Sequence, residues 1–421
     1  YGADAIADAI ERVADRHPVL KCLFERRGAD LLMLPQLDAR VGLRTFEAAA
    51  ETDEDRARLE AFAGQPFDLH AELPMRAMMV AAKGAGQPHQ VLIVVHHIVC
   101  DAVSLGILAD DFQNLLAGRD LPAPEYSFAA YRRQRQSAEN AEQTRKDKAY
   151  WLGNLLPLPA PLALPTLDGH DSRDGHQGAT RVRSLSAPAS EAVKRLCGEL
   201  GVSTFSFFLG AFGVLMSKIA HAESFLLGVP VTGRAQAQEL ALVGYLVNMR
   251  AMKIEPEPDF PVAEYLLDLN AQWLESAPHQ GYPMSALLDD LSGEDYCQGR
   301  QGRHPLFDVV FGYLPFSLNG AEESGGDFVR LELASDTAKF DLAVEVSETG
   351  EAFDCTIQYR ERLFAESTIA ALFDYYFGLI DAVLADPEAE VGSLLPGLDA
   401  PAVAGASSQA DQRDVDLEFD F

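Results

Sequence analysis

The chain has 421 residues, 48% of them apolar, and carries 34 Lys and Arg against 64 Asp and Glu, a formal net charge of −30. That length exceeds one typical domain and predicts two or three packed units, while the apolar share supports a sizeable core rather than global disorder. The acidic excess, with no basic cluster, argues against a nucleic-acid partner and against an anionic membrane surface; its plainest meaning is a solvated acidic exterior.

In chain order, residues 3–16 place Ile6, Ile10 and Val13 on one helical face. His17-Pro18 should end that helix, because a residue before proline disfavours the helical region. VLKCLFE (19–25), AMMVAA (77–82) and QVLIVVHH (90–97) read as strands, with KGAGQ (83–87) as a turn. SLGILADDFQNLLAG (104–118) reads as a helix closed by Gly118. Residues 157–179, rich in Pro, Gly, Asp and His, form the best linker. Beyond it, 190–200, 204–220 and 369–385 read as helices, and 224–231, 307–314 and 340–348 as strands. Interleaved strands and helices in both halves predict an α/β protein of two units. Cys22, Cys100, Cys197, Cys297 and Cys355 are scattered, odd in number and without a CxxC, which argues against a disulfide framework or a zinc site and fits a reducing cytoplasm. No apolar run approaches the roughly 20 residues of a membrane span. No signal peptide is visible at Tyr1, and the sequence begins without Met.

HHIVCDA (96–102) follows an apolar strand. Extended as a strand, Val91, Ile93, Val95 and His97 share one face, and Leu92, Val94 and His96 the other. Both faces are apolar, so the strand is expected to be buried on both sides, and the histidines should not converge on one atom. A metal needs three or four convergent ligands, and only Asp101 is near. A serine nucleophile lacks its GxSxG elbow, and Ser104 has no strained turn to expose it. Two readings remain: a hydrogen-bonded core pair, or one histidine acting as general base at a strand end with Asp101 shaping the turn.

HHIVCDA resembles the HHxxxDG signature of condensation domains from nonribosomal peptide synthetases, members of the chloramphenicol-acetyltransferase-like superfamily. RHPVLKCLF (from Arg16), YWLGNL (from Tyr150), GVPVTGR (from Gly228), VGYLVNMRAMKI (from Val243), HQGYPMSALL (from His279) and GRHPLFDVVFGY (from Gly302) are similar to further family segments in the same order. GYLVNM looks more like the condensation form than the related epimerisation form. The resemblance implies two acetyltransferase-like α/β lobes in a V around a central channel. It implies an N-terminal lobe at 1–165 without the family's first strand and helix, a linker at 166–179, a C-terminal lobe at 180–400 and an acidic tail at 401–421. It gives His97 the catalytic role, packing to His96 and a structural ion pair to Asp101, with Lys21 or Arg234 as the partner. Ser104 and Asn248 would border the channel, Asn248 either touching substrate or serving as an ordinary turn residue. Donor and acceptor would arrive as thioesters on the phosphopantetheine arms of carrier proteins, with no intrinsic cofactor or metal. The product would be an amide. An ester, or a non-catalytic partner-recruiting module, are the alternatives.

Three departures stand out. Ala102 replaces the signature's glycine, adding a Cβ where the backbone or the acceptor side would otherwise be free. Lys21 replaces an arginine and loses the bidentate fork. No carrier-type attachment serine follows, which reads as a stand-alone or C-terminal unit. Finally, in DVDLEFDF (414–421) Val415, Leu417, Phe419 and Phe421 alternate with acids. An extended strand would have one apolar and one acidic face, suited to adding onto a partner's sheet edge. The segment resembles short motifs that engage β-hairpin docking domains.

Overall fold

The computed structural model describes residues 1–28, 30–48, 53–82, 89–167, 177–294, 303–314, 337–350 and 352–395. The expected turn at 83–87, Cys297 and the alternating segment at 414–421 lie outside the described residues. The chain is a mixed α/β protein of two compact units. Tyr1–Gln143 and Thr232–Val247 form the first; Thr144–Val231 and the chain from Asn248 form the second.

In the first unit, helix α1 (Ala3–Arg16) buries Ile6, Ala9, Ile10 and Val13 on one face. Pro18 stops it, and a 3₁₀ turn at Pro18–Lys21 precedes strand β1 (Cys22–Arg27), so the strand expected from Val19 starts three residues later. β1 pairs with β2 (Asp30–Pro35) in an antiparallel ribbon. After β3 (Leu43–Ala48) and helix α2 (Asp53–Ala63), β4 (Met75–Ala82) and β5 (Gln90–Val95) complete a sheet of order β3-β4-β5. Among the described residues β5 is therefore an edge strand, and it is half-buried along its whole length rather than buried on both sides as its apolar run suggests. Helix α3 (Ala102–Leu116) ends at Gly118, whose left-handed φ of +75° lets its amide reach Leu115 O. Arg16 Nε (2.8 Å) and His17 Nε2 (2.7 Å) both meet Asp111 Oδ2 and fasten α1 to α3. Helix α4 (Phe128–Arg135) follows.

The second unit begins within helix α5 (Ala138–Leu155). It continues through β6 (Gly178–Ser184), α6 (Ala187–Leu200), α7 (Thr204–Ala220), β7 (Phe225–Val231), β8 (Asn248–Ile254), α8 (Val262–Ser276) and α9 (Met284–Asp290). β9 (Val309–Leu314), β10 (Leu342–Thr349), β11 (Ala352–Arg360) and α10 (Glu366–Ala385) complete it. Its six-stranded sheet has the order β6-β11-β10-β9-β7-β8, with β9 parallel to both neighbours and the other pairs antiparallel. Strand periodicity divides two cores. Leu227, Met252, Phe311 and Val344 join Phe208, Phe212 and Tyr376 of α7 and α10 on one face. Leu226, Ala251 and Val310 join Trp151 of α5 and Leu287 of α9 on the other.

The Pro- and Gly-rich stretch does not mark the division between units. Leu162 lies in the main core, Leu164 packs against it, and Leu167 N–H donates to Leu363 O. Its composition signals irregular backbone, not lack of contact; residues 168–176 lie outside the described residues. α10, against expectation, is long and apolar enough to cross a membrane. Its Ile369, Leu372, Phe373, Tyr376, Leu379 and Ile380 instead fill the core of the second unit.

Candidate active site

β5 stops at Val95, and the chain turns through a short 3₁₀ segment, His97–Val99. The turn, not strand alternation, separates the two histidines. His96 Nδ1 accepts the Ile98 N–H at 3.0 Å, and its ring meets Phe67 edge-on at 5.6 Å. His97 is exposed, with Nδ1 2.5 Å from the Cys100 carbonyl oxygen. A carbonyl oxygen only accepts, so Nδ1 carries a proton, and in the neutral ring Nε2 holds the lone pair. Tyr245 packs edge-on against the His97 ring at 4.9 Å. The Cys100 thiol is pushed up to about 12 by burial and the Asp101 charge, so it stays protonated at neutral pH.

Asp101 is the N-cap of α3: its Oδ1 accepts from Ser104 N at 2.9 Å and from Ser104 Oγ at 2.8 Å. The same carboxylate receives a two-pronged guanidinium, Arg234 Nη1 to Oδ2 at 2.7 Å and Nη2 to Oδ1 at 3.0 Å. Leu246 N–H donates to Oδ2 at 3.1 Å. Both side chains of the ion pair are essentially excluded from solvent. Burial pushes the Asp101 carboxyl up, but the Arg234 and Ser104 hydrogen bonds and the Arg234 charge outweigh it and hold it below its ordinary value.

Two expected positions are thereby corrected. Lys21 does not serve Asp101; its buried ammonium pairs with Asp15, with Glu11 Oε2 at 4.0 Å. Ser104 does not present its hydroxyl to a substrate. It is fully buried, donating to Asp101 and bonded to the Gly244 backbone, while Arg234 Nη2 donates to it at 3.0 Å. Ala102 is the first residue of α3 and has negative φ, a conformation alanine adopts without strain.

Residues 232–247 bind to this cluster by close backbone approach. Gly233 has φ +65°, and a Cβ there would lie 1.8 Å from Leu246 O. At Gly244 a Cβ would lie 2.7 Å from the Phe128 ring. These glycines set Tyr245 between two anchored neighbours, Gly244 and Leu246. Sequence reasoning missed Tyr245, whose one signal is an aromatic directly after Gly244; in the structure it is 47% exposed. Its phenol is pushed up by burial and then by the Asp101 charge.

Asn248, at the start of β8 in the second unit, is spent internally. Its Nδ2 donates to Gln280 O (3.0 Å) and Tyr282 O (2.6 Å), and its Oδ1 accepts from Met284 N (3.1 Å). Those bonds make it a clamp on the turn before α9 rather than a substrate contact.

The family profile named Condensation domain matches residues 2–398. Tyrocidine synthase 3 of Brevibacillus parabrevis is 28% identical over 390 residues, covering 91% of this chain and 6% of that protein. The chain spans 6% to 11% of the length of the first curated relatives it matches. Among solved structures, the X-domain from teicoplanin biosynthesis superposes with a TM-score of 0.80 at 19% identity, covering 94% of this chain and 90% of that one. The condensation domain from a Monacolin K polyketide synthase gives 0.77 at 18%, covering 93% and 91%. At those identities the structural likeness concerns the fold. On the match spanning residues 2–398, the chain belongs to the condensation domain family.

Proposed function

We propose that this domain joins a carrier-bound acyl or peptidyl thioester to an amine acceptor and forms an amide. The observation that carries the reading is the His97 ring. Its Nδ1 proton is committed to Cys100 O, and the residue is exposed, which leaves the Nε2 lone pair of the neutral ring to meet an attacking amine. The amine nitrogen attacks the thioester carbonyl and the C–S bond breaks. One proton passes from nitrogen to Nε2 and on to the departing phosphopantetheine thiolate. Asp101 and Arg234 hold the turn and the 232–247 segment, and so position the ring without touching the reacting atoms. Donor and acceptor carrier proteins are the proposed partners, with residues 414–421 as a motif for a partner's β-hairpin. The free, buried Cys22, Cys100, Cys197 and Cys355 fit work in a reducing cytoplasm.

A non-catalytic role is the second alternative; helical backbone at Ala102 answers the backbone-strain argument for it, and the transfer assay tests the rest. An alcohol acceptor would use the same lone pair. The test is to charge a donor carrier with a panel of acyl groups, offer amine- and alcohol-bearing acceptors, and follow products by intact-protein mass spectrometry. Amide product supports the proposal; ester alone moves it to the alcohol reading; no transfer with any pair contradicts both.

A further inference from the structure

The two edges of the six-stranded sheet differ. β8 is buried at Arg250, Ala251, Met252 and Ile254. β6 is exposed from Thr180 to Ser184, and among the described residues no strand pairs with its outer side. In a chain of net charge −30, β6 (GATRVRS) holds two arginines and no acid. Arg181 and Arg183 lean toward α10, meeting Glu366 and Asp374, and Val182 points the other way with 56% of its surface exposed. A long open edge of this kind invites another strand.

We infer that residues Asp414–Phe421 of the same chain add to the free edge of β6. The match is chemical. Eight alternating residues present four acids on one face, beside Arg181 and Arg183, and Val415, Leu417, Phe419 and Phe421 on the other, beside Val182. Glu366 and Asp374 hold those arginines only through exposed surface pairs, which are worth little. The connection is short. The described chain ends at Leu395, which lies against Gly378 of α10, one helical turn from Asp374. Residues 396–413, at up to about 3.5 Å each, reach β6 with length to spare. Tethering raises the effective concentration of the segment to the order of millimolar, enough to populate weak strand addition. The segment would then be stored on its own domain until a better sheet edge displaces it. The inference does not depend on the condensation reading.

The test uses the full chain carrying Val182→Cys with Val415→Cys, Leu417→Cys or Phe419→Cys, and Val182→Cys with Asp416→Cys as the opposite-face control. Neighbouring same-face positions on paired strands lie about 5 Å apart, within disulfide reach. Under mild oxidation at least one apolar-face pair should close, independently of protein concentration, about tenfold or more faster than the control. Reversing Asp414, Asp416, Glu418 and Asp420 to Lys should abolish that advantage. Amide exchange at 180–184 should also be slower in the unmodified chain than in the four-lysine variant. Equal rates on both faces, closure that scales with concentration (a second copy's tail), or unchanged amide exchange would each overturn the inference and leave β6 an edge guarded by its arginines.

Discussion

The tautomer of His97 follows from one backbone carbonyl, and the position of that carbonyl follows from Asp101. The carboxylate caps α3 through Ser104, takes both prongs of Arg234 and receives the Leu246 amide, so it ties together three stretches of one unit. Removing Arg234 would leave a buried charge with no cation. Arg234→Ala is therefore expected to cost about 3–5 kcal/mol, read as a lowered denaturation midpoint, with Arg234→Lys in between because the fork is lost. The pH dependence has a definite sign. A carboxyl held below its ordinary value contributes stability above its unfolded pKa, near about 4, and loses it as pH falls through the lower folded value. Melting curves from pH 7 downward should show this loss in the native chain, and a shallower loss in Asp101→Asn. The signature residues were legible, and so were two candidate partners of Asp101, but the choice between Lys21 and Arg234 was not. Arg234 lies 133 positions away, and a charge at Lys21 satisfied the same expectation until geometry gave it to Asp15.

Elements with strong period were readable and those governed by local turns were not. α1, α7 and α10 carry long apolar faces and stand where spacing put them. β2, β3 and α5 have mixed or polar patterns; β2 is placed by its hairpin with β1, and β3 and α5 by pairing and packing with partners distant in sequence. The strand at 90–97 was read too long because apolar alternation cannot show a 3₁₀ turn; His97 belongs to that turn. Backbone approach is equally silent in sequence. At Gly233 a Cβ would meet both a positive φ and the Leu246 carbonyl at 1.8 Å. Gly233→Ala should therefore lower the melting temperature and, by displacing Tyr245 from the His97 ring, lower the condensation rate. A variant unchanged in both would show that the 232–247 segment has slack the structure does not display.

At the scale of the molecule, two α/β units and their family were legible from ordered motifs, while the division between them was not. The segment 232–247 leaves the second unit's chain between β7 and β8 and joins the first, a path that no composition shift marks. The net charge of −30 bears on partners. With an acidic carrier, long-range repulsion should slow encounter, so raising salt from about 0.05 to about 0.5 M should quicken association through screening. Slower association at high salt would point to a basic partner surface instead. The central claim is that the His97 Nε2 lone pair serves amide formation. Single-turnover transfer from a charged donor carrier to an amine-bearing acceptor carrier, followed by intact-protein mass spectrometry, tests it most directly. His97→Ala should fold as the native chain does and react about 10²–10⁴-fold more slowly; equal rates in the two proteins would contradict the account.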